Sequence, residues 1–180
     1  MKAVTIFTFL LISFFSSESD GIKIEWSESK KLTWADFQGT QSRSSDYAAS
    51  SSTGLSFTYS VKVHGESVGL DYDVKCHFYP EESWYDRSAA SAYILKHEQT
   101  HFNISELHAR ILRKLISEAS FSKHMKTEMK AIYKEVEKQR VKMQHRFDAE
   151  TEHSIKKEKE YLWEEFVDKK LRAYDLWKQP

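Results

Sequence analysis

Residues 88–116 read SAASAYILKHEQTHFNISELHARILRKLI and carry the clearest structural signal in the sequence. This stretch contains neither glycine nor proline, and its pattern is typical of a long helix. Asp86 or Ser88 is a candidate N-cap for that helix. Glycine stays absent from here to the C-terminus, and the next proline is Pro180. We therefore predict two further helices, over residues 126–146 and about 151–177.

The segment that precedes this helix carries strand patterns. Residues 55–63, LSFTYSVKV, place apolar side chains at odd positions, and residues 70–78, LDYDVKCHF, repeat the period of two. Residues 22–26, IKIEW, alternate in the same way, and residues 64–66, HGE, are typical of a turn. Strict alternation indicates half-buried, antiparallel strands with one face in water. The predicted fold class is α+β, with a small antiparallel sheet packed on the helix of residues 88–116.

The N-terminus is typical of a secretory signal peptide, predicted at about residues 1–19. Lys2 supplies a positive start, residues 3–15 are apolar, and residues 17–19, SES, offer a cleavage site. We therefore expect export to the periplasm or the extracellular medium, with an uncleaved N-terminal anchor as the alternative. No later stretch is apolar enough to span a membrane. Residues 20–180 are predicted to form a single domain, mainly β over 20–87 and mainly α, with many charges, over 88–180.

Charge and cysteine content exclude several classes of partner and site. The chain has 27 basic and 27 acidic side chains, so its formal net charge is zero. Nothing in that balance indicates nucleic acid as a partner, since nucleic-acid binding requires a basic face. The single cysteine, Cys76, excludes a disulfide within the chain and any zinc site built from several cysteines. A metal site must therefore use histidines and carboxylates. The sequence leaves the oligomeric state open.

His97, Glu98 and His101 form an HExxH motif inside the predicted helix. Residues four apart on a helix differ by about 40° around its axis, so both imidazoles project from one face. They can bind one tetrahedral Zn²⁺ at about 2.0–2.1 Å. Glu98 lies beside that metal without binding it, where it can take a proton from a water molecule that the metal activates. The motif therefore predicts zinc as the cofactor and Glu98 as the general base.

A catalytic zinc ion needs a third protein ligand. Glu106 lies about half a turn away from the histidine face, so the ligand should come from a later element. Residues 147–153, FDAETEH, are the densest source, because they lie at the junction of two predicted helices. From the residues alone the candidates are His124, His145, Asp148, Glu150, Glu152 and His153.

Three segments together resemble the bacterial family of unknown function DUF922, whose members are described as predicted secreted zinc-dependent proteases. They are LTWADFQG at residues 32–39, HEQTHF followed by ELHAR at residues 97–110, and FDAETEHS at residues 147–154. The family's late segment reads roughly Tyr-Asp-x-Glu-Thr-x-His-Gly, so Phe147 stands in place of tyrosine and Ser154 in place of glycine. The resemblance spans about residues 32–163.

The resemblance makes His153 the preferred third zinc ligand, ahead of Glu150 and Asp148. General metal-site chemistry adds that a nearby carboxylate, Glu106 or Asp148, can orient a metal-bound imidazole. The implied fold is zincin-like, and the implied function is a secreted zinc metallohydrolase of the peptidase type, with a peptide or protein as substrate. Two alternatives remain open. One is a non-catalytic, zinc-stabilised binding module of the cell envelope with four protein ligands, and the other is a metal-free helical adaptor.

Overall fold

A computed structural model describes residues 21–41, 47–64 and 67–179. The predicted signal peptide at residues 1–19 lies outside these residues, as do positions 65 and 66 of the predicted turn. The described residues form an α+β structure with two small antiparallel sheets and three helices. The strands precede the helices along the chain, which is the order that the sequence predicts. Among the described residues, no helix is both long and apolar enough to cross a membrane.

The larger sheet consists of β1 (Ile24–Glu25), β3 (Thr53–His64) and β4 (Ser67–Phe78). The strands lie in the order β1–β4–β3, and all neighbours are antiparallel. In the long β3–β4 pair, Leu55 lies opposite Cys76. Alternate residues of both strands are buried, namely Leu55, Phe57 and Tyr59 on β3 and Val74, Cys76 and Phe78 on β4. The predicted period of two is thus confirmed, because one face of the sheet packs into the core.

The smaller sheet pairs β2, Ala49–Ser50, with β5, Trp84–Tyr85. Its position is set by the segment around the short 3₁₀ helix Trp34–Asp36. There Trp34 stacks on Tyr85 with 4.6 Å between ring centroids, and Phe37 meets Phe78 of the larger sheet edge-on at 5.0 Å. These aromatic contacts join the two sheets.

Three helices follow, namely α1 over Ala92–Glu118, α2 over Met125–Thr151 and α3 over Lys157–Ala173. The first begins later than predicted, because its N-cap is Ser91, whose hydroxyl accepts a hydrogen bond from the backbone N–H of Ile94. Asp86 and Ser88, the predicted caps, bond to each other in the preceding turn. The second helix continues beyond residue 146 to Thr151, and the third begins only after a turn of several residues.

α1 packs on the larger sheet with one side and on the other two helices with the opposite side. Phe102 contacts Phe78 of β4 at 5.8 Å between ring centroids, and the Arg113 guanidinium donates to the backbone carbonyl of Val74. On the other side lies a second apolar cluster formed by Ile104, Leu107, Phe147, Trp163, Val167 and Leu171. α1 is therefore enclosed, which explains why so many of its polar side chains are buried.

Candidate metal centre

Three side chains converge on one point between α1 and α2. The Nε2 atoms of His97 and His101 lie 3.2 Å apart. The Oδ1 atom of Asp148, from the last turns of α2, lies 3.3 Å from the first Nε2 and 2.9 Å from the second. Among the described residues, these three form the one group of at least three His, Cys, Asp or Glu side chains close enough to share a metal ion. We call this group the His–His–Asp cluster.

The far side of each imidazole is held by a different helix. His97 Nδ1 lies 3.1 Å and 3.0 Å from the two carboxylate oxygens of Glu160, which is completely buried on α3. His101 Nδ1 lies 2.5 Å from the amide oxygen of Gln144 on α2, whose NH₂ group donates to the backbone carbonyl of His101. Because both partners accept, each Nδ1 carries its proton and donates it. The Nε2 atoms are thereby oriented toward each other and toward Asp148.

The electrostatics of the cluster favour a cation at its centre. Burial opposes the charged form of His97, but hydrogen bonds to Asp148 and Glu160 outweigh it and raise the pKa of His97 to about 9. Burial also acts to raise the pKa of Asp148, yet His101 and His97 hold that pKa well below its ordinary value. The carboxylate is therefore ionised at neutral pH and attracts positive charge, whether a proton or a metal ion.

The cluster fits a tetrahedral metal ion. Two donor atoms that each lie about 2.0–2.1 Å from one ion are about 3.3 Å apart in tetrahedral geometry. The observed separations of 3.2, 3.3 and 2.9 Å are close to that value. Two neutral imidazoles and one carboxylate are also a donor set that zinc accepts with a fourth position open. His97, His101 and Asp148 would hold such an ion.

Glu98 lies beside the cluster and does not belong to it. Its side chain is buried, and its Oε2 atom accepts a short hydrogen bond from the hydroxyl of Ser51, just after β2. Glu98 and Ser51 line the same cleft as the three cluster residues. The hydrogen bond ties the carboxylate to the wall of the cleft opposite α2, so its direction is set by the smaller sheet as well as by α1.

The cleft itself has a volume of about 350 Å³ and lies between the segment around β2 and the two helices α1 and α2. One wall is the continuous stretch of residues 47–53, and the opposite wall comes from residues 140–154 of α2 and the turn after it. The backbone carbonyl of Ala48 bonds to the N–H of Asp86 beyond β5, and Ser50 lies opposite Trp84. By the alternation of an antiparallel ladder, Ala49 and Ser51 therefore direct their backbone groups away from β5.

The structure brings Asp148 to the two imidazoles, although the sequence ranked it behind His153. His153 lies in the turn after α2, with its side chain 46% exposed and its Nδ1 atom 3.8 Å from Asp148 Oδ1. It lines the cleft but stays outside the His–His–Asp cluster. Asp148 lies in the last turn of α2, where the helix faces α1. His153 lies beyond the end of α2, in the turn where the chain changes direction.

The other candidate ligands lie elsewhere. Glu150 pairs with Arg146 and accepts a hydrogen bond from Trp163, and Glu152 pairs with Lys156. Glu106 is buried and binds two arginines, Arg110 and Arg113, on the far side of α1. His145 is exposed on the cleft wall, and His124 is exposed at the opposite end of α2. Glu106 therefore has a structural partner and does not orient either imidazole of the cluster.

Sequence reasoning missed Gln144 and Glu160, which orient the two imidazoles. Both lie in helices where every second or third residue is charged or amide-bearing, so nothing in spacing or composition separates them from their neighbours. Their burial is the one feature that distinguishes them, since Glu160 is fully enclosed while Glu158 is exposed. The contact between a carboxylate on one helix and a histidine on another is visible only in the folded structure.

The fold and the site define an α+β protein whose longest helices hold a His–His–Asp cluster beside a buried glutamate. The chain matches the family model DUF922, a bacterial protein of unknown function, over residues 31–154. This range covers well over half of the chain and every residue of the cluster, so the protein belongs to that family. No curated protein and no solved structure matches the chain.

Proposed function

We propose that this protein is a zinc-dependent hydrolase that cleaves peptide bonds, with His97, His101 and Asp148 as the protein ligands of the metal. The single observation that carries the proposal is the separation of their three donor atoms, 2.9 to 3.3 Å, beside a buried and oriented Glu98. When bound, zinc would activate a water molecule and polarise the substrate carbonyl.

The chain's own residues supply the remaining chemistry. Glu98 takes a proton from the attacking water and later passes it to the leaving amine. Ser51 donates to Oε2 of Glu98 and so keeps the carboxylate directed into the cleft. Glu160 and Gln144 hold the Nδ1 protons of the two histidines, so that the Nε2 lone pairs stay available to the metal.

The smaller sheet supports a peptide as the substrate. The backbone groups of Ala49 and Ser51 point away from β5 along the cleft wall, and an extended peptide can pair with such an edge by strand addition. That pairing would lay the peptide backbone across the opening above Glu98. We therefore propose a zincin-like arrangement of substrate and metal. We also propose export of the chain, on the basis of the predicted signal peptide.

The decisive test is the substitution Glu98→Gln. The amide keeps the size of the side chain and removes its ability to accept a proton, so we expect casein hydrolysis to fall at least about 100-fold. Zinc content, measured by elemental analysis, should stay near one ion per chain. The same analysis on the untreated protein identifies the metal, because two imidazoles and one carboxylate also suit iron. Unchanged turnover in the variant would remove Glu98 from the mechanism.

The position of His153 favours one rival function, a zinc-stabilised binding module without catalysis. With its Nδ1 atom 3.8 Å from Asp148 Oδ1, this imidazole is near enough for a small side-chain movement to make it a fourth ligand. Four protein ligands leave no position for water. A cobalt-substituted protein separates the two functions, since its visible absorption spectrum changes with added hydroxamate only when a ligand position is open.

A further inference from the structure

His153 lies close to the His–His–Asp cluster without belonging to it. We propose that His153 is a catalytic residue: its ring N–H donates a hydrogen bond to the substrate's carbonyl oxygen as that oxygen gains negative charge. This inference rests on the proposed function and names the donor that the mechanism above leaves unassigned.

The contacts of His153 leave its ring free to serve a substrate. Its Nδ1 atom lies 3.8 Å from Asp148 Oδ1, which is too long for a hydrogen bond. Among residues 21–41, 47–64 and 67–179, neither ring nitrogen of His153 makes a hydrogen bond. The side chain is 46% exposed and lines the same cleft as Glu98. The imidazole is thus close to a proposed ligand and open to a molecule in the cleft.

The position of the ring is nevertheless well defined. The His153 backbone N–H donates to the carbonyl of Asp148 at 3.0 Å, and its own carbonyl accepts from the Ser154 hydroxyl at 2.5 Å. The imidazole also packs on the ring of Tyr47 across the cleft, with 4.3 Å between centroids. This backbone hydrogen bond holds His153, the proposed donor, at a defined distance from Asp148, the proposed ligand.

Hydrolysis of the peptide bond requires no proton transfer from His153. Glu98 accepts a proton from water, the water oxygen bonds to the carbonyl carbon, and the π electron pair of the C=O bond moves to the carbonyl oxygen. His153 shares its N–H hydrogen with that oxygen and keeps it. When the C–N bond breaks, the electron pair returns to re-form the carbonyl, and the amine nitrogen takes the proton from Glu98. A donor of this kind contributes about 100-fold or more to kcat.

The test compares His153→Ala with His153→Gln, which keeps an N–H donor, and with His124→Ala as a control at the far end of α2. Three quantities are measured on zinc-loaded protein: zinc affinity by chelator competition, inorganic phosphate affinity by calorimetry, and kcat and KM for casein. Phosphate serves as a tetrahedral oxyanion. For His153→Ala we expect wild-type zinc affinity, phosphate binding weakened about tenfold or more, and kcat lowered about 100-fold at similar KM. His153→Gln should recover part of both losses.

Each contrary outcome has a distinct meaning. Loss of zinc from His153→Ala, equal to the loss from Asp148→Ala, would make His153 a ligand and overturn the inference. Unchanged phosphate affinity and kcat in His153→Ala would also overturn it. If the wild-type protein binds zinc and phosphate but cleaves no casein, the proposed function is contradicted, and the catalytic role of His153 with it. If the wild-type protein cleaves casein and His153→Ala does so equally well, this inference alone is contradicted.

Discussion

Glu160 shows how much of the site depends on a single buried side chain. Its carboxylate is fully enclosed, and both of its oxygens lie within 3.1 Å of His97 Nδ1. An ionised carboxylate in that position compensates for its burial only by hydrogen bonding to a donor. The histidine and the glutamate therefore stabilise each other, and the proton held at Nδ1 directs Nε2 toward His101 and Asp148.

Substituting Glu160→Gln should weaken zinc binding by about 10- to 100-fold, because the charge that makes His97 a stronger ligand is lost while the side-chain shape is kept. Chelator competition measures this affinity. Glu158→Gln is the matched control, since Glu158 lies two residues earlier in the first turn of α3, is exposed, and should leave zinc affinity unchanged. Equal affinities for both variants would show that Glu160 does not support the metal.

The pKa of His97 predicts how metal binding depends on pH. In the metal-free protein this pKa is raised to about 9, so His97 is protonated at pH 7 and a metal ion must displace that proton. Affinity should therefore rise about tenfold per pH unit from pH 7 toward pH 9, and then level off. Calorimetry in buffers of different ionisation enthalpy should detect about one proton released per zinc at pH 7. A flat profile over this range would contradict the protonated state of His97.

At the scale of elements, the turn between α2 and α3 is unusual. Glu152, His153 and Ser154 all have positive φ, at 50°, 52° and 68°. Such left-handed conformations are unfavourable for residues other than glycine, at about 1–2 kcal/mol each. The turn ends α2 just after Asp148 and reverses the chain beside the cleft.

Because of this conformation, we expect Ser154 to tolerate substitution by glycine but not by a β-branched residue. A β-branched residue fits poorly at positive φ, so Ser154→Val should lower the free energy of unfolding by about 1–2 kcal/mol relative to Ser154→Gly. Urea denaturation of the two variants provides the comparison, with the metal removed from both samples. If the two midpoints coincide, the left-handed conformation is not required at this position.

At the scale of the whole molecule, the proposed zinc site joins the two longest helices. His97 and His101 come from α1 and Asp148 from α2, while Glu160 brings in α3. A ligand that binds only the folded state stabilises it by an amount set by its concentration relative to its Kd. A metal at this point would therefore oppose separation of the helices.

Zinc should raise the free energy of unfolding by about 4 kcal/mol at a free concentration 1,000 times its Kd. Thermal denaturation with zinc and with chelator measures the difference. Asp148→Ala should lose most of this increment, whereas Glu98→Gln should keep it, because Glu98 lies outside the cluster. An increment of equal size in Asp148→Ala would place the metal elsewhere on the chain.

The α+β class, the alternation of β3 and β4, and the placement of His97 and His101 on one helix face could all be predicted from the sequence. Those features depend on contacts between residues close in the chain, where helical and strand periods can be read directly. The contacts of Asp148 with the two imidazoles, and the hydrogen bonds by which Gln144 and Glu160 orient them, became visible in the folded protein alone. These side chains reach α1 because α2 and α3 pack on it. A local sequence pattern does not specify which residue of a neighbouring helix will contact a given turn of α1.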